Sequence, residues 1–291
     1  MPDKQHLIGH LFAFITIAIW SAAFVSNKIL IGYMTPIEIM IYRFVLAYVV
    51  LLIVYPHWHL PYSLKDELFF LLLGSLGIFI YFLFENFALK YTQATNVGLF
   101  MGAIPLFTAI VSHFIHTDEH FTRKLLFGFI LAMIGMGMIL LEGHAFEVRF
   151  KGDLLALLGA VTFALYSSLL KHAPSGYHYI ETTRKSFFYG LLLMLAYRLI
   201  GGKALHFEAF STPIVWTNIL YLGLLSSGLA FILYQQGIKR IGSIAASNYI
   251  YLVPLLTAIV GVTVLNEHIT PTMVVAGGFI LLGLYVAQKS A

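Results

Sequence analysis

Ten stretches of about twenty mostly apolar residues follow one another through this chain, near 7–31, 36–55, 67–89, 94–115, 122–141, 152–171, 179–200, 214–238, 243–265 and 271–288. A helix needs about 20 such residues to cross a bilayer. Hydrocarbon offers the backbone no hydrogen bonds, so a spanning stretch must be a helix or join a closed barrel. Barrel strands would show alternating segments of about ten residues, and the stretches do not alternate. The reading is an all-α membrane protein with ten transmembrane helices. Only 10% of the 291 residues are charged and 60% are hydrophobic, against about 25% charged in soluble domains. Pro36, Pro61, Pro213 and Pro271 lie near segment starts, where proline is tolerated. Lys4 and the apolar run reaching Ser21-Ala22-Ala23 would also suit a signal peptide. A counterpart of that segment at 152–171 favours a structural first helix instead.

The second constraint is a duplication. PLFTAIV opens at Pro105 and is followed by Glu119, His120 and Thr122; PLLTAIV opens at Pro254 and is followed by Glu267, His268 and Thr270. Lys28 corresponds to Lys171 and Glu38 to Glu181, while Lys90 corresponds to Lys239. The period of 143 to 149 residues is far too long for a solenoid. It is a five-helix unit used twice, expected at 7–141 and 152–288. Five is odd, so the second copy enters the membrane from the opposite side. Inverted repeats place a site near the midplane between the halves, hence a central cavity.

Several residues are candidates for that site. Glu85 sits within the apolar run of the third helix, beside Asn86. Intramembrane acids face a cavity or pair with a cation. Burial penalises the charged form, so such an acid could exchange a proton as access alternates; the other reading is a fixed pair with Arg43. The repeat puts Tyr234 and Gln235 at the positions of Glu85 and Asn86, and either a ligand site or helix-to-helix hydrogen bonds would use such groups. Trp20 and Phe24 are one turn apart, Tyr81 is one turn before Glu85, and Phe163, Tyr166, Tyr249 and Tyr251 lie in second-half helices. Few polar groups among aromatics make a normal small-molecule site. Asn96 and Asn248 add amides. Arg43 is expected to form a structural pair, with Glu38 or Glu85. Pro105 and Pro254 break the helical ladder mid-helix and mark a kink or gate. Glycines 128, 135, 137, 277, 278 and 283 would pack the fifth and tenth helices on the bundle or on a second subunit.

Other chemistries find little support. There is no cysteine, which removes disulfides and thiolate sites. Twelve histidines form no HExxH pattern, so no metal or other cofactor is expected. Basic residues are scattered and the net charge is +4, which argues against nucleic acid.

These features in this order resemble the drug/metabolite transporter superfamily, specifically EamA-type transporters with two tandem EamA repeats. The resemblance rests on Trp20-Ser21 and Lys28, the Glu38-to-Arg43 segment, Ala88-Leu89-Lys90-Tyr91-Thr92, Pro105, Glu119 and Thr122. The second half repeats it with Phe163-Ala164, Lys171, Ile238-Lys239-Arg240, Pro254, Glu267 and Thr270. It covers about 7–288. It implies that helices 1–4 and 6–9 surround the cavity, with helices 5 and 10 more peripheral. It also implies alternating access and export of amino acids, other metabolites or drugs.

The expected function is a secondary transporter rather than an enzyme: a proton-coupled exporter of small metabolites such as amino acids. No P-loop is present, so energy comes from a gradient. The alternatives are an uncoupled facilitator, a membrane-embedded enzyme, or a scaffold or sensor. The partners are a small molecule and the bilayer, with the chain a monomer or homodimer. Lysines and arginines modestly favour the amino-terminal side, so the expectation is an inner-membrane protein with both termini cytoplasmic.

Overall fold

The computed structural model describes residues 4–57, 63–92, 94–141, 148–201, 205, 207–265 and 270–290. Helices α1 (Lys4–Ile31) and α2 (Pro36–Val54) come first. The third run is α3 (Leu64–Leu73), a π-helical segment Gly74–Ile80 and α4 (Tyr81–Tyr91). Then follow α5 (Ala94–Met101), α6 (Ile104–Ile115), α7 (Arg123–Leu140), α8 (Phe150–Leu170) and α9 (Tyr179–Ile200). The next run joins α10 (Pro213–Leu220), a second π-helical segment Tyr221–Leu229 and α11 (Ala230–Asn248). A 3₁₀ turn Tyr249–Leu252 leads to α12 (Val253–Leu265), and α13 (Pro271–Gln288) closes the series. No strand occurs among the described residues.

Eight helical runs among the described residues are long and apolar enough to cross a membrane. The ten expected segments differ from these in two places. Tyr179–Ile200 is a 22-residue helix carrying Glu181, Arg184, Lys185 and Arg198, which lowers its hydropathy. The expected segments 214–238 and 243–265 form one run, Pro213–Ile259, of 47 residues. A straight helix of that length would be about 70 Å long, more than twice the hydrocarbon thickness. It therefore has to turn, and it does so at Gly242, whose φ is 83°.

The ends of the elements show how the halves are related. Gly9 near the start of α1 packs directly on Ile241, where an added Cβ would lie 2.6 Å from Ile241 Cγ2. Arg240 Nε donates to Gln5 at 3.2 Å. The end of α8 reaches the same place, since Ser112 Oγ lies 2.8 Å from both Ser168 Oγ and Ser243 Oγ. The start of α8 lies at the opposite end, where Asp153 accepts from Thr92 and Asn96 at 2.7 and 2.9 Å. Thus α1 and α8 run in opposite directions. Packing is reciprocal: α1 lies along α11 as α8 lies along α4, and each π-helical segment packs on the other half's second helix. The π-helical segments themselves recur about 147 residues apart. The bundle is a two-repeat helical membrane fold.

Helix starts repeat as well. Thr122 Oγ1 accepts from Leu125 N at 3.2 Å, and Thr270 Oγ1 accepts from Met273 N at 3.1 Å. These are N-caps, worth about 1 kcal/mol each. Pro105 and Pro254 occupy matching positions, but neither lies inside a continuous helix. Each stands in the first turn of a new one, after the turn at Gly102–Ala103 and after the 3₁₀ turn Tyr249–Leu252. The interruption precedes the proline, which begins the following helix without needing an N–H. Glu267 and His268 lie outside the described residues.

At the amino-terminal end the first half is tied to the second by Glu119. Its Oε1 accepts from Ser243 N at 2.8 Å, and its Oε2 accepts from Ser243 Oγ at 2.6 Å and Ile244 N at 3.2 Å. Lys171 Nζ donates to it at 2.8 Å and to Asp118 at 2.7 Å. Burial alone would raise the Glu119 pKa, but hydrogen bonds from Lys171 and Ser243 outweigh it and hold the carboxyl below the usual carboxylate range. The contact is therefore complete above the unfolded carboxyl's pKa and is lost as pH falls through the lowered value.

α7 and α13 pack at backbone distance through small residues. A Cβ on Gly283 would lie 2.6 Å from Ala132 N and from Gly128 O, and one on Gly135 would lie 2.5 Å from Ala276 O. Such contact drives helix association in lipid. Gly137 and Gly278 face open space. Gly283→Val is expected to destabilise by about 1–3 kcal/mol through overpacking, whereas Gly137→Val is expected to leave the thermal midpoint of the purified protein unchanged. Equal midpoints for the two variants would contradict this packing.

Candidate functional site

A cavity of about 370 Å³ lies between the halves, within the range of small-molecule sites. The first half contributes Trp20 and Asn27 from α1, Arg43 from α2, and Tyr81, Phe82 and Glu85 from α4. The second half contributes Phe163, Ser226, Phe231, Pro254 and Thr257. α9 contributes none of the lining residues. Met136, Ile139 and Leu140 of α7 and Met273 of α13 do line the wall, so these two helices are not merely peripheral as the resemblance implied. Asn27, Leu140 and Met273 stand at helix ends remote from the amino-terminal end, and among the described residues none of 105–135, 164–225 or 232–249 lines the cavity. The cavity is therefore sealed toward Glu119 and extends the other way.

The polar floor begins with Arg43, only 2% exposed. Its Nε donates to Ser227 Oγ at 2.8 Å and its Nη2 to Ser226 Oγ at 3.0 Å. The guanidinium also lies 4.7 Å from the Phe82 ring centre and 5.3 Å from that of Phe44, a cation–π arrangement. Both hydroxyls belong to the second π-helical segment. Such segments interrupt the regular ladder and often mark functional places. Trp20 Nε1 donates to the Ser226 carbonyl at 3.0 Å. This fixes the indole, whose ring meets Phe163, Phe231 and Tyr234 at 5.6, 5.5 and 5.1 Å. Tyr81 lies 4.8 Å from Phe163. The result is a cluster of aromatic rings around the Trp20 indole, with the Arg43 guanidinium lying over Phe44 and Phe82 beside it.

Glu85 is the other pole. It is 4% exposed, and its Oε2 is buried with no hydrogen-bond partner among the described residues. It forms no ion pair with Arg43, although both line the same cavity. An unanswered carboxylate in such a place costs several kcal/mol, so it calls for a proton or a cationic group.

The expected pair between Arg43 and Glu38 does not form. Glu38 Oε2 accepts from Thr35 N at 2.9 Å to cap α2, and its Oε1 accepts from Arg198 Nη2 at 3.0 Å. Five residues along a helix turn the side chain by about 140°, so Glu38 and Arg43 point apart.

The structure brings Trp20, Tyr81, Glu85, Phe163, Arg43 and Pro254 to the cavity. The side chain of Phe24 lies outside the described residues. The remaining candidates lie elsewhere in the bundle, all buried but Tyr249, which is half-buried. Tyr234 OH lies 2.9 Å from Ser167 Oγ, and Gln235 Oε1 accepts from Thr183 Oγ1 at 2.9 Å. Asn86 Nδ2 donates to the Phe82 carbonyl at 2.7 Å, Asn96 binds Asp153, and Tyr249 OH lies 3.0 Å from His10 Nδ1. Tyr166 covers Gly77, while Tyr251, Asn248 and Pro105 are buried away from the lining. The offset of 149 residues thus matched Glu85 with Tyr234 in sequence but not in exposure to the cavity. Asn27, Ser226 and Thr257 were not singled out by sequence reasoning. The adjacent Ser226-Ser227 in an apolar run was the one signal that could have found the partners of Arg43.

A multi-pass bundle enclosing a polar-floored cavity, closed at one end, is the architecture of a membrane transporter. The chain belongs to the EamA-like transporter family, whose model matches residues 7–141 and 150–287. It is 30% identical over 275 residues to the uncharacterized transporter YyaM of Bacillus subtilis, covering 92% of this chain and 89% of that one. An uncharacterized transporter of Archaeoglobus fulgidus is 27% identical, with 98% of each chain covered. A protein of known crystal structure, 20% identical, shares the fold with a TM-score of 0.79 over 97% of this chain and 99% of its own.

Because Arg43 donates to both hydroxyls, Ser226→Ala combined with Ser227→Ala leaves buried N–H groups unanswered, at about 1–3 kcal/mol each. The double variant should melt earlier than wild type, and adding Arg43→Met should recover part of the loss by removing the charge. No recovery in the triple variant would mean that the serines stabilise the fold independently of Arg43.

Proposed function

We propose that the protein is a proton-coupled secondary transporter that exports small amphipathic metabolites, amino acids among them, by alternating access. The observation that carries this reading is the Glu85 carboxylate, buried in the cavity wall with no hydrogen-bond partner for its Oε2 among the described residues. A zwitterion would answer both poles at once, its ammonium on Glu85 and its carboxylate on the Arg43 side. The aromatic cluster and the apolar wall of Met101, Met136 and Leu140 suit an apolar side chain. With the cavity empty, a proton on Glu85 would serve instead, and the exchange of proton for substrate couples the two fluxes. The two five-helix halves, about 7–141 and 152–288, would rock against each other around this site. The modest basic bias supports both termini lying on the cytoplasmic side, in an inner membrane.

The test is solid-supported-membrane current from proteoliposomes, over an amino-acid and nucleobase panel at two pH values, with wild type beside Glu85→Gln. A substrate-evoked, pH-dependent current that disappears in Glu85→Gln is the expected result. Labelled substrate crossing without current and without pH dependence would replace coupling by facilitated diffusion. Chemical conversion of the label would replace transport by catalysis.

A further inference from the structure

The cavity is sealed toward the amino-terminal end, and the polar groups there converge on one carboxylate. Glu119 lies between α6 and α7 in the first half. Every partner of its oxygens belongs to the second half: Ser243 and Ile244 just after the break in the long run, and Lys171 at the end of α8. The break itself is shaped for it. Gly242 has φ 83°, and a Cβ there would stand 2.5 Å from Glu119 Oε1, so only glycine lets the carboxylate reach the two free N–H groups beyond. Behind it, Ser112 of the first half bridges Ser168 and Ser243 of the second, and His116 Nε2 lies 3.0 Å from the Ser168 carbonyl. The side chain of Glu119 is 8% exposed, that of Lys171 22%. The seal is thus polar, made by one carboxylate, one ammonium and three serine hydroxyls.

We propose that Glu119 is the latch of this end: its carboxylate holds α8 and the Gly242 break against the first half, and the cavity opens toward the amino-terminal side when that carboxylate leaves Ser243 and Lys171. Hydrogen bonds and one ion pair suit a latch. In the open state water takes over the same donors, so their net contribution is small, while unpacking apolar surface would cost far more. Gly242, free to change its backbone angles, supplies the hinge. The latch extends the alternating-access reading above, but its test requires no substrate.

The chain has no cysteine, so a single Ala23→Cys in the cavity wall reports access. Its labelling by a membrane-impermeant maleimide is followed from each face, in right-side-out and inverted vesicles. With Glu119 intact, labelling is expected mainly from the face remote from the amino-terminal end. Glu119→Ala is expected to raise labelling from the amino-terminal face at least fivefold. Lys171→Met, which leaves the Ser243 contacts in place, should raise it by a smaller factor. The thermal midpoint is measured on the same samples. A purely structural cap would lower the midpoint and leave the labelling face unchanged, and that outcome in either variant overturns the latch. If Glu119→Ala does not fold, Lys171→Met decides alone. Failure of the transport reading would appear in the flux assay instead, and leaves the accessibility result standing.

Discussion

Charge inside a lipid-facing bundle has to be answered by protein, and here the answers come from the opposite half of the chain. Arg43 is met by Ser226 and Ser227, Glu38 by Arg198, and Glu119 by Lys171 and Ser243. Between helices, apolar side chains gain little over contact with lipid tails, so packing, small residues and polar contacts hold the bundle. Each of these three contacts therefore specifies how the halves sit as well as how firmly. Glu85 stands apart, because its Oε2 has been left without such an answer.

The departures from regular helix lie where the architecture needs them. The π-helical segments recur in both halves, and the second supplies the hydroxyls and the carbonyl that hold Arg43 and Trp20. The first half has Gly77 at the position of Ser226, and there the ring of Tyr166 fills the space, an added Cβ meeting it at 2.3 Å. The same backbone feature thus makes a polar floor for the cavity in one half and a close helix-to-ring contact away from the cavity in the other. A duplicated fold acquires an asymmetric site by side-chain replacement on a shared backbone.

Much of this was legible from residues alone. Apolar length predicts the helices, and the Pro105/Pro254 repeat with its odd helix count predicts inversion. Glu85, Trp20, Tyr81 and Phe163 stand out because acids and grouped aromatics in a spanning run need a reason. The amides and phenols at 86, 96, 234, 235 and 249 looked equally eligible, but Asn86 bonds within its own helix and the others bond to neighbouring helices instead. Periodicity cannot separate these cases, since a polar side chain facing a cavity and one facing another helix occupy similar stretches of sequence.

By itself, then, the sequence determined the class: an all-helical membrane protein, built twice, with acid, cation and rings at depth. That follows from hydrocarbon thickness, backbone hydrogen bonding and the arithmetic of repeats, all of which act locally along the chain. Tertiary structure alone decided that Arg43 turns to Ser226 and Ser227 rather than to Glu38, and that Glu119 reaches across to Gly242 and Lys171. Those outcomes depend on helix rotation and on contacts between residues more than a hundred positions apart for all but Lys171, which no local pattern encodes.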